Sequence, residues 1–391
     1  MKSVIVVGAG IWGSSLALRL AETGWRVTLV EQHKPGHLRQ ASAGETRLLR
    51  CSHGDDDWYA RLAWQAREDW LRLGERAGEE LYQEAGMLWF AGTPDGWEHA
   101  SARVLKNLDI EFEVLDPSDG GRFFPDFRGD DLSFLLWEPH AGVIRARRAT
   151  QVIAGLAQAA GARLVRARAV PPAGDAAGGT AGDMAAGIAG DMAGGAAVEI
   201  DGETRHADRV VWACGAWLPE LFDRLPITVT KQDTLHFAVP SAWSLPETPA
   251  WVDHGASAYG HGDVDGVGMK ATSDAEGPPY EPEHGARVVD AVSVERARHY
   301  LRRRFPSLER APLLFSQVCQ YALTPDAEWL LARAAPGVWL LGGDSGHGFK
   351  HAPALAAYVA GVLDGEYEPE PRFGLHARTP SRGLRTSGEV W

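Results

Sequence analysis

The sequence predicts an α/β fold with a second, α+β lobe that contains a mixed sheet. The β-branched run at residues 4–7 is typical of a buried parallel strand, and a glycine-spaced turn and a helical pattern follow it directly. A second unit of strand, glycine-rich turn and helix comes near the end of the chain, at residues 338–363. The 391 residues are enough for two domains, or for one large α/β domain with an inserted lobe.

The N-terminal elements form a β-α-β unit. A helix is predicted over residues 13–23, where Gly24 ends it, and a second strand runs over residues 26–30 and finishes in Glu31. The spacing of tryptophan, leucine and alanine then predicts a long helix over residues 56–80.

Short strands and turns are predicted from residue 86 to 143, and helices and strands alternate after that. The predicted elements are strands at 87–90 and 132–137, a helix at 148–160, strands at 163–170 and 209–213, a β-rich stretch at 227–275, a helix at 291–304, a strand at 338–341 and a helix at 352–363. Residues 171–197 are rich in Gly, Ala, Asp and Met and predict a mobile surface loop, with a recognition segment as the alternative. The polar tail at 376–391 is expected to be frayed.

This order predicts a discontinuous nucleotide-binding domain made of residues 1–85, 142–217 and 323–375. Residues 86–141 and 218–322 are expected to form a substrate domain, with the substrate bound between the two domains.

Composition limits the partners and the compartment. Acidic residues outnumber basic ones by 52 to 39, and a net charge of -13 argues against a nucleic-acid partner. The three cysteines, Cys51, Cys214 and Cys319, are sparse and far apart, which favours a reducing compartment, and none forms a CxxC pair typical of a metal site. No apolar run is long enough to span a membrane, so we expect a cytoplasmic protein without a membrane partner.

The turn after the first strand carries a dinucleotide-binding pattern. Gly8 allows the tight turn, Gly10 lets the backbone approach a pyrophosphate, and Gly13 lets helix and strand pack closely, while the helix N-terminus attracts negative charge. Glu31 ends the second strand, where a carboxylate can accept hydrogen bonds from ribose. The alternative is an ordinary β-α turn, and the motif alone does not choose between NAD and FAD. The residues predicted to bind the dinucleotide here are Gly8, Gly10, Ile11, Trp12, Gly13 and Glu31.

Four stretches together resemble one known family. They are the N-terminal glycine motif and the segments Gly44–Arg50, Val318–Asp326 and Gly343–Lys350. The chain resembles, from residue 4 to about residue 370, the monomeric sarcosine oxidases and N-methyltryptophan oxidases within the D-amino-acid-oxidase-like flavoproteins, and their biosynthetic relatives that oxidise cyclic imino acids. The resemblance implies FAD as the cofactor.

In this family a cysteine that matches Cys319 forms a thioether with the flavin, so the resemblance implies covalent FAD. Cys319 lies two residues before Tyr321 in a strand-like segment, so the two side chains point the same way. A thiolate is the competent nucleophile for such a bond. The alternative for Cys319 is a small buried apolar residue, which is the role expected for Cys51 and Cys214.

The resemblance also implies how the substrate carboxylate is bound. Arg50 and Lys350 match the family's carboxylate-binding pair, and Arg47 matches an arginine close to the flavin. Arg47 and Arg50 are expected on one helical turn; the alternative is a solvated helix face with Asp55–Asp57 as surface partners.

Lys270 matches the family lysine that promotes the reaction with oxygen. The alternative is an exposed lysine on an edge strand. Tyr259 and Tyr321 match aromatic positions around the substrate cavity.

The glycine-rich turn before the last helix resembles the segment that faces the flavin ring, where a helix N-terminus would stabilise negative charge. His347 is expected mainly to hold this turn by hydrogen bonds. The cofactor-binding residues expected here are Gly343, Gly346, His347, Gly348, Phe349 and Lys350.

We therefore expect a monomeric, peroxide-forming oxidase of a small carboxylated secondary amine or imino acid, with hydride transfer to flavin N5 and O2 as the second substrate. Residues 51–54 and 271–274 differ from the family pattern, which argues against sarcosine itself as the substrate. One alternative is a flavin dehydrogenase with another electron acceptor, and a second is a non-catalytic flavin-binding protein. No Asp or Glu is placed as a base by the motifs.

Overall fold

The computed structural model describes residues 1–172 and 195–380, and most of its strands belong to two large sheets. The helices are α1 (Ile11–Glu22), α2 (Asp57–Ala77), α3 (Trp97–Asn107), α4 (Ala146–Ala159), α5 (Leu218–Leu221), α6 (Ala291–Arg304) and α7 (Ala352–Asp364). The first ten strands are β1 (Ser3–Val7), β2 (Arg26–Glu31), β3 (Thr46–Leu49), β4 (Tyr82–Glu84), β5 (Met87–Ala91), β6 (Glu113–Leu115), β7 (Phe134–Glu138), β8 (Gly142–Arg145), β9 (Arg163–Arg166) and β10 (Ala169–Val170). The others are β11 (Ala196–Ile200), β12 (Glu203–Ala207), β13 (Arg209–Trp212), β14 (Thr228–Phe237), β15 (Ala250–Asp253), β16 (Ala258–His261), β17 (Met269–Ser273), β18 (Leu313–Leu323), β19 (Leu330–Ala335) and β20 (Val338–Gly342).

The first sheet has six strands in the order β19-β20-β13-β1-β2-β9. All neighbours are parallel except β19 and β20. Every residue of β1 is buried, as expected for a central parallel strand covered on both faces. Helix α1 packs against α4 and α7 on this sheet, with Leu16 and Leu20 fully buried in the shared core. The predicted α/β fold is confirmed.

The second sheet has eight strands in the order β18-β14-β17-β16-β15-β5-β7-β6. It is antiparallel apart from the pair β5–β15, so the predicted mixed sheet is present. Helix α6 packs on it over a core that includes Phe90, Trp251 and Phe305. The strands of this sheet come from residues 87–138 and 228–323. The division of the chain into two domains stays a prediction.

Two small sheets complete the fold, with orders β3-β8-β4 and β10-β11-β12. In the first of these sheets, Arg47 lies in strand β3 and Arg50 directly follows that strand. The prediction that both arginines lie on one helical turn is therefore wrong. The backbone of β3 is committed to the antiparallel ladder with β8. The three aspartates do not serve as partners either: Asp55 pairs with Arg103, Asp56 with Arg372 and Asp57 with Arg61.

Two further expectations need correction. The single strand predicted at 163–170 is divided, because the amide of Ala167 bonds to Glu31 of the large sheet, while that of Arg168 donates to Asp201 beside the small sheet. The tail is not frayed at its start: the side chain of Arg378 is fully buried and donates to Asp326 and to three backbone carbonyls. Most of the predicted 171–197 loop, and residues 381–391, lie outside the described residues.

Among the described helices, none combines the length and the apolar character that a membrane span requires.

Candidate active site

The glycine turn between β1 and α1 has the geometry that its sequence predicts. Gly8 has a φ of +100°, and a Cβ there would lie 2.5 Å from the carbonyl oxygen of Ala213. A Cβ on Gly13 would lie 1.9 Å from the carbonyl oxygen of Gly8, so Gly13 allows close packing. A Cβ on Gly10 would meet only the Ser42 hydroxyl, at 3.4 Å. Gly10 therefore leaves space on the side that faces a cavity.

Glu31 organises this turn from the end of β2. One carboxylate oxygen accepts hydrogen bonds from the amide of Ala9 at 2.8 Å and from Gln40 at 2.9 Å, and the other accepts from the amide of His33 at 2.9 Å. A carboxylate offers about four acceptor positions, so one remains for a ligand. Glu31 is buried and lines the cavity, which is compatible with the predicted contact to ribose.

The cavity beside this turn is lined by residues of both glycine-rich segments. At one end it is lined by Gly8, Gly10, Ile11, Trp12 and Glu31. At the other end it is lined by Arg47, Tyr321, Gly343, Gly346 and Phe349. The cavity therefore joins the N-terminal motif to the turn before α7, and we call it the dinucleotide cavity.

A direct contact joins these two segments. The indole Nε1 of Trp12 donates to the carbonyl of Gly348 at 3.0 Å. A Cβ on Gly348 would lie 2.3 Å from the Trp12 ring. Gly348 and Gly13 support the dinucleotide cavity by close packing and do not line it.

A second, smaller cavity adjoins the first. It contains charged and polar side chains from distant segments: Arg50, Tyr259, Asp274, His347 and Lys350. Trp89, Trp97 and His254 form aromatic walls. The two cavities share Arg47, Tyr321, Gly346 and Phe349. We call it the substrate cavity, because a small molecule here would lie at the end of the dinucleotide cavity.

The two cations of the substrate cavity are held in a low-dielectric setting. The Arg50 guanidinium lies over the rings of Trp89 and Trp97, at 5.0 and 5.8 Å from their centroids, and donates to the carbonyl of Ser52. Burial lowers the pKa of Arg50 to about 10. The Lys350 ammonium donates to the carbonyl of His347 at 2.7 Å. Burial, and then repulsion from Arg50, lower the pKa of Lys350 well below its ordinary value.

One face of the eight-stranded sheet brings together the other predicted residues. Cys319 and Tyr321 alternate along β18, and Lys270 lies opposite His236 on β14 and His261 on β16. Since strand residues two apart share a face, this register places Cys319, Tyr321, Lys270 and Tyr259 on the same side.

Contacts on this face centre on Arg47. Its Nη2 donates to the Cys319 sulfur at 3.2 Å and to the carbonyl of Ala41 at 2.6 Å. The Lys270 ammonium lies 4.7 Å from the centroid of the Tyr259 ring. Cys319 is buried against Arg47. Neither Cys319 nor Lys270 lines the dinucleotide cavity or the smaller cavity.

Lys270 is not the exposed edge lysine that the sequence allowed as an alternative. It is 1% exposed, and β17 lies inside the sheet between β14 and β16. Burial, and then the nearby positive charge of Arg47, lower the pKa of Lys270 to about 7. The lysine is therefore poised between its charged and neutral forms near neutral pH.

His347 holds its turn, as expected. Its Nε2 donates to the carbonyl of Ala327 at 2.9 Å, and its ring stacks on Trp329 with centroids 5.6 Å apart. It also lines the substrate cavity.

Sequence reasoning did not identify Asp274 as a site residue. The hydroxyl of Tyr321 donates to its carboxylate at 3.1 Å within the substrate cavity. The signal was available, because Lys270, Thr272 and Asp274 alternate at the spacing that places side chains on one strand face. Glu138 was also missed: it is buried and accepts from the amide of Cys51 and from the Trp89 indole, at 2.8 and 2.7 Å.

A protein-family model described as FAD dependent oxidoreductase matches residues 3–362. The chain belongs to the FAD dependent oxidoreductase family. This FAD dependent oxidoreductase is 29% identical over 372 residues to a protein named monomeric sarcosine oxidase from Streptomyces avermitilis, covering 91% of this chain and 92% of that protein. It is 25% identical over 382 residues to a protein named N-methyl-L-tryptophan oxidase from Yersinia pestis, covering 94% and 96% of the two chains. The resemblance found in the sequence is confirmed, and the chain is an enzyme.

Solved structures confirm the fold of this FAD dependent oxidoreductase. L-proline dehydrogenase from P. horikoshii superposes with a TM-score of 0.81 at 18% identity, over 96% of both chains. NikD, described as an unusual amino acid oxidase essential for nikkomycin biosynthesis, superposes with a TM-score of 0.75 at 24% identity, over 96% of this chain and 98% of that chain.

Proposed function

We propose that this enzyme oxidises the carbon–nitrogen bond of a small carboxylated secondary amine or imino acid, with FAD as the hydride acceptor and O2 as the final oxidant. The carrying observation is the junction of the two cavities. A pocket with two buried basic side chains adjoins a cavity suited to a dinucleotide, and the two share Arg47, Tyr321, Gly346 and Phe349. The names of the oxidase relatives support an amino-acid-like substrate.

Arg50 and Lys350 are proposed to bind the substrate carboxylate. Both donate to neutral carbonyls, those of Ser52 and His347, so a carboxylate would bring the compensating negative charge. The planar guanidinium can hold two carboxylate oxygens, and the ammonium adds a point charge. The rings of Trp89 and Trp97 contact the guanidinium and so help to hold it in position for the bound acid.

Asp274 is proposed to hold the nitrogen end of the substrate. A secondary amine is protonated near pH 7, and a carboxylate in the same cavity can accept its proton, which leaves the nitrogen lone pair free to support C–H cleavage. Tyr321 orients that carboxylate through its hydroxyl. The carboxylate-binding pair and Asp274 together would select a molecule with an acid at one end and an amine at the other.

The residues around the dinucleotide cavity fit FAD. Gly10 leaves room for the pyrophosphate at the start of α1, and Glu31 keeps an acceptor position for ribose. When bound, FAD would supply the acceptor for a hydride from the carbon beside the nitrogen, and O2 would reoxidise it with release of hydrogen peroxide. We propose that the Cys319 sulfur, which accepts a hydrogen bond from the Arg47 guanidinium at 3.2 Å, would form a thioether to a methyl carbon of the flavin. The thiol proton and one C–H hydrogen of that methyl group would be lost, their two electrons would reduce the flavin, and O2 would reoxidise it to give hydrogen peroxide.

Lys270 is proposed to assist the reaction with O2. Its buried position on the sheet face that carries Cys319 supports this role, since a cation there stabilises the negative charge that develops on oxygen.

A substrate panel tests the proposed function. N-methyl amino acids and cyclic imino acids, each beside its neutral amide, are offered to the purified enzyme with hydrogen peroxide as the readout. We expect peroxide from at least one acid and far less from its amide. Reduction of the flavin by an acid without peroxide formation would instead support a dehydrogenase. A flavin that stays oxidised with every compound contradicts the proposal.

Covalent attachment is tested separately. Acid precipitation should leave yellow flavin on the wild-type protein, and Cys319→Ser should release it, whereas Cys51→Ser and Cys214→Ser should retain it. Freely extractable FAD in the assembled wild-type enzyme would contradict the thioether.

A further inference from the structure

Three histidines form a buried cluster beside the substrate cavity. His53 and His351 are 1% and 0% exposed, and His347 is 9% exposed. One ring nitrogen of each histidine lies within 4.8 Å of a ring nitrogen of each of the other two. Within residues 1–172 and 195–380, this is the one group of three or more His, Cys, Asp or Glu side chains close enough to share a metal ion. The ring centroids of His53 and His351 are 5.2 Å apart.

The hydrogen bonds of two rings fix which nitrogen faces the cluster. His53 Nδ1 is 2.9 Å from the carbonyl of Cys51, and His347 Nε2 is 2.9 Å from the carbonyl of Ala327. A carbonyl can only accept, so each of these nitrogens carries the proton. The other nitrogen of each ring, His53 Nε2 and His347 Nδ1, then presents a lone pair. Metal-binding histidines are held in the same way, with the far N–H donating to a backbone carbonyl.

The remaining polar atoms of the cluster need a partner. His53 Nε2 and both ring nitrogens of His351 are buried and have no hydrogen-bond partner among the described residues. Such atoms are costly in a protein interior and indicate an ion or water that completes the site.

We propose that His53, His347 and His351 bind a transition-metal ion, with zinc as the expected occupant. Three imidazole nitrogens suit zinc and copper, whereas magnesium and calcium prefer oxygen ligands. Zinc–nitrogen bonds are about 2.0–2.1 Å long, so the three nitrogens would draw together by roughly an ångström on binding. The aromatic surroundings, with Tyr59 and Trp329 at 5.0 Å from His347 and His351, would make this a closed, structural site.

The position of the cluster suggests what the ion does. His53 follows Arg50 by three residues, while His347 and His351 enclose Lys350 in the chain. An ion bound to all three would join the segment after β3 to the turn before α7. It would thereby fix the separation of the two cations that line the substrate cavity. This role rests on the proposed function, but occupation of the site does not.

Metal content tests the site without reference to activity. The untagged enzyme is expressed with zinc supplementation, passed through gel filtration and analysed for zinc, copper, nickel and iron. We expect about one zinc ion per chain. The variants His53→Phe and His351→Phe should lose it, while the exposed-histidine variant His206→Asn should retain it. Wild-type protein without a stoichiometric metal, or full metal retention in both phenylalanine variants, overturns the proposal. Copper in place of zinc would change the identity of the bound ion and support the same three ligands.

A second measurement covers the case in which the variants do not fold. Wild-type protein from zinc-depleted medium is titrated with zinc in a calorimeter and in thermal unfolding. We expect saturation near one equivalent and a rise in Tm, because an ion that binds only the folded state stabilises it. Absence of both signals contradicts the site. Substrate oxidation would be unaffected by that result, so the failure of this proposal and of the proposed function can be told apart.

Discussion

The dinucleotide cavity and the substrate cavity are built in different ways, although they share a wall. The first depends on backbone shape: a left-handed glycine, a close glycine–glycine approach and the start of a helix, all within a few residues of the chain. The second depends on side chains that come from β3, β5, β16, β18 and the turn before α7. Its charges are buried, and burial changes their pKa values.

This difference has a physical consequence. A backbone-shaped site can bind the invariant part of a cofactor with little regard for side-chain identity, and it tolerates few changes of glycine. A site made of side chains on separate elements can change its preference by single substitutions while the fold remains intact. We therefore expect substitutions in the substrate cavity to alter kinetics, and substitutions in the glycine turn to alter stability and cofactor retention.

The largest effect is expected at Lys270. Lys270→Met keeps the length of the side chain and removes the charge, so reoxidation by O2 should slow by about 100- to 1,000-fold. Anaerobic reduction by substrate should change far less. Stopped-flow measurement of both half-reactions decides this, with the exposed Lys106→Met as the control. An unaltered reoxidation rate would remove the main support for an oxidase.

Arg50 should show a smaller effect that depends on the substrate's charge. Arg50→Ala should lower kcat/KM for the acid by about ten- to a hundredfold, or roughly 1.5–3 kcal/mol, and lower it much less for the neutral amide. The surface substitution Arg61→Ala should leave both unchanged, since its ion pair with Asp57 is exposed. Equal losses for acid and amide would show that Arg50 does not bind the carboxylate.

Gly8 and Gly10 of the glycine turn are expected to respond differently to the same substitution. Gly8→Ala should destabilise the protein by about 1–3 kcal/mol, because alanine is strained at a φ of +100° and its Cβ meets a backbone carbonyl. Gly10→Ala should leave the unfolding free energy nearly unchanged but weaken retention of FAD, since its Cβ projects toward the cavity. Denaturant unfolding and flavin content measure the two effects. Equal destabilisation by both substitutions would contradict the separate roles.

The smallest effect is a pH dependence. The pKa of Lys270 is lowered to about 7, so its ammonium form increases as the pH falls through that value. The rate of reoxidation should therefore rise by about tenfold as the pH is lowered from about 8 to about 6, because the charged fraction of the lysine rises from about a tenth to about nine tenths. Arg47, Cys319 and Asp274 influence the charge of this lysine. His236, His261 and Tyr259 also lie against it. Lys270→Met should abolish the rise, and a rise that persists in this variant would assign it to another group.

The geometry of the glycine turn could be predicted from the sequence because the information for it is local. Gly8, Gly10, Gly13 and Glu31 lie within one β-α-β unit, and their spacing alone defines the turn. The substrate cavity was reached only through family resemblance, since nothing in the spacing of Arg50 and Lys350 shows that they meet. The alternation of Asp274 with Lys270 and Thr272 is visible in the sequence, but what this strand face meets depends on the register of β17 against β14 and β16.

The error at Arg47 and Arg50 also has a physical origin. Four residues carry too little periodicity to separate a helical turn from a short strand. Pairing with β8, nearly a hundred residues later in the chain, decides the conformation of this segment. Local propensity cannot include that contact.

The hydrogen bond from Trp12 to Gly348 has a consequence for how the protein is made. Strand β1 is flanked by β2 and β13, and β20 lies on the far side of β13, so the glycine turn also depends on residues 209–212 and 338–342. During synthesis the N-terminal motif leaves the ribosome first. The cavity beside it is incomplete until the lining residues near position 346 have also been made. We therefore expect cofactor capture only after residue 348 has been made, and a chain that stops short of that residue should contain the recognition motif without retaining the flavin.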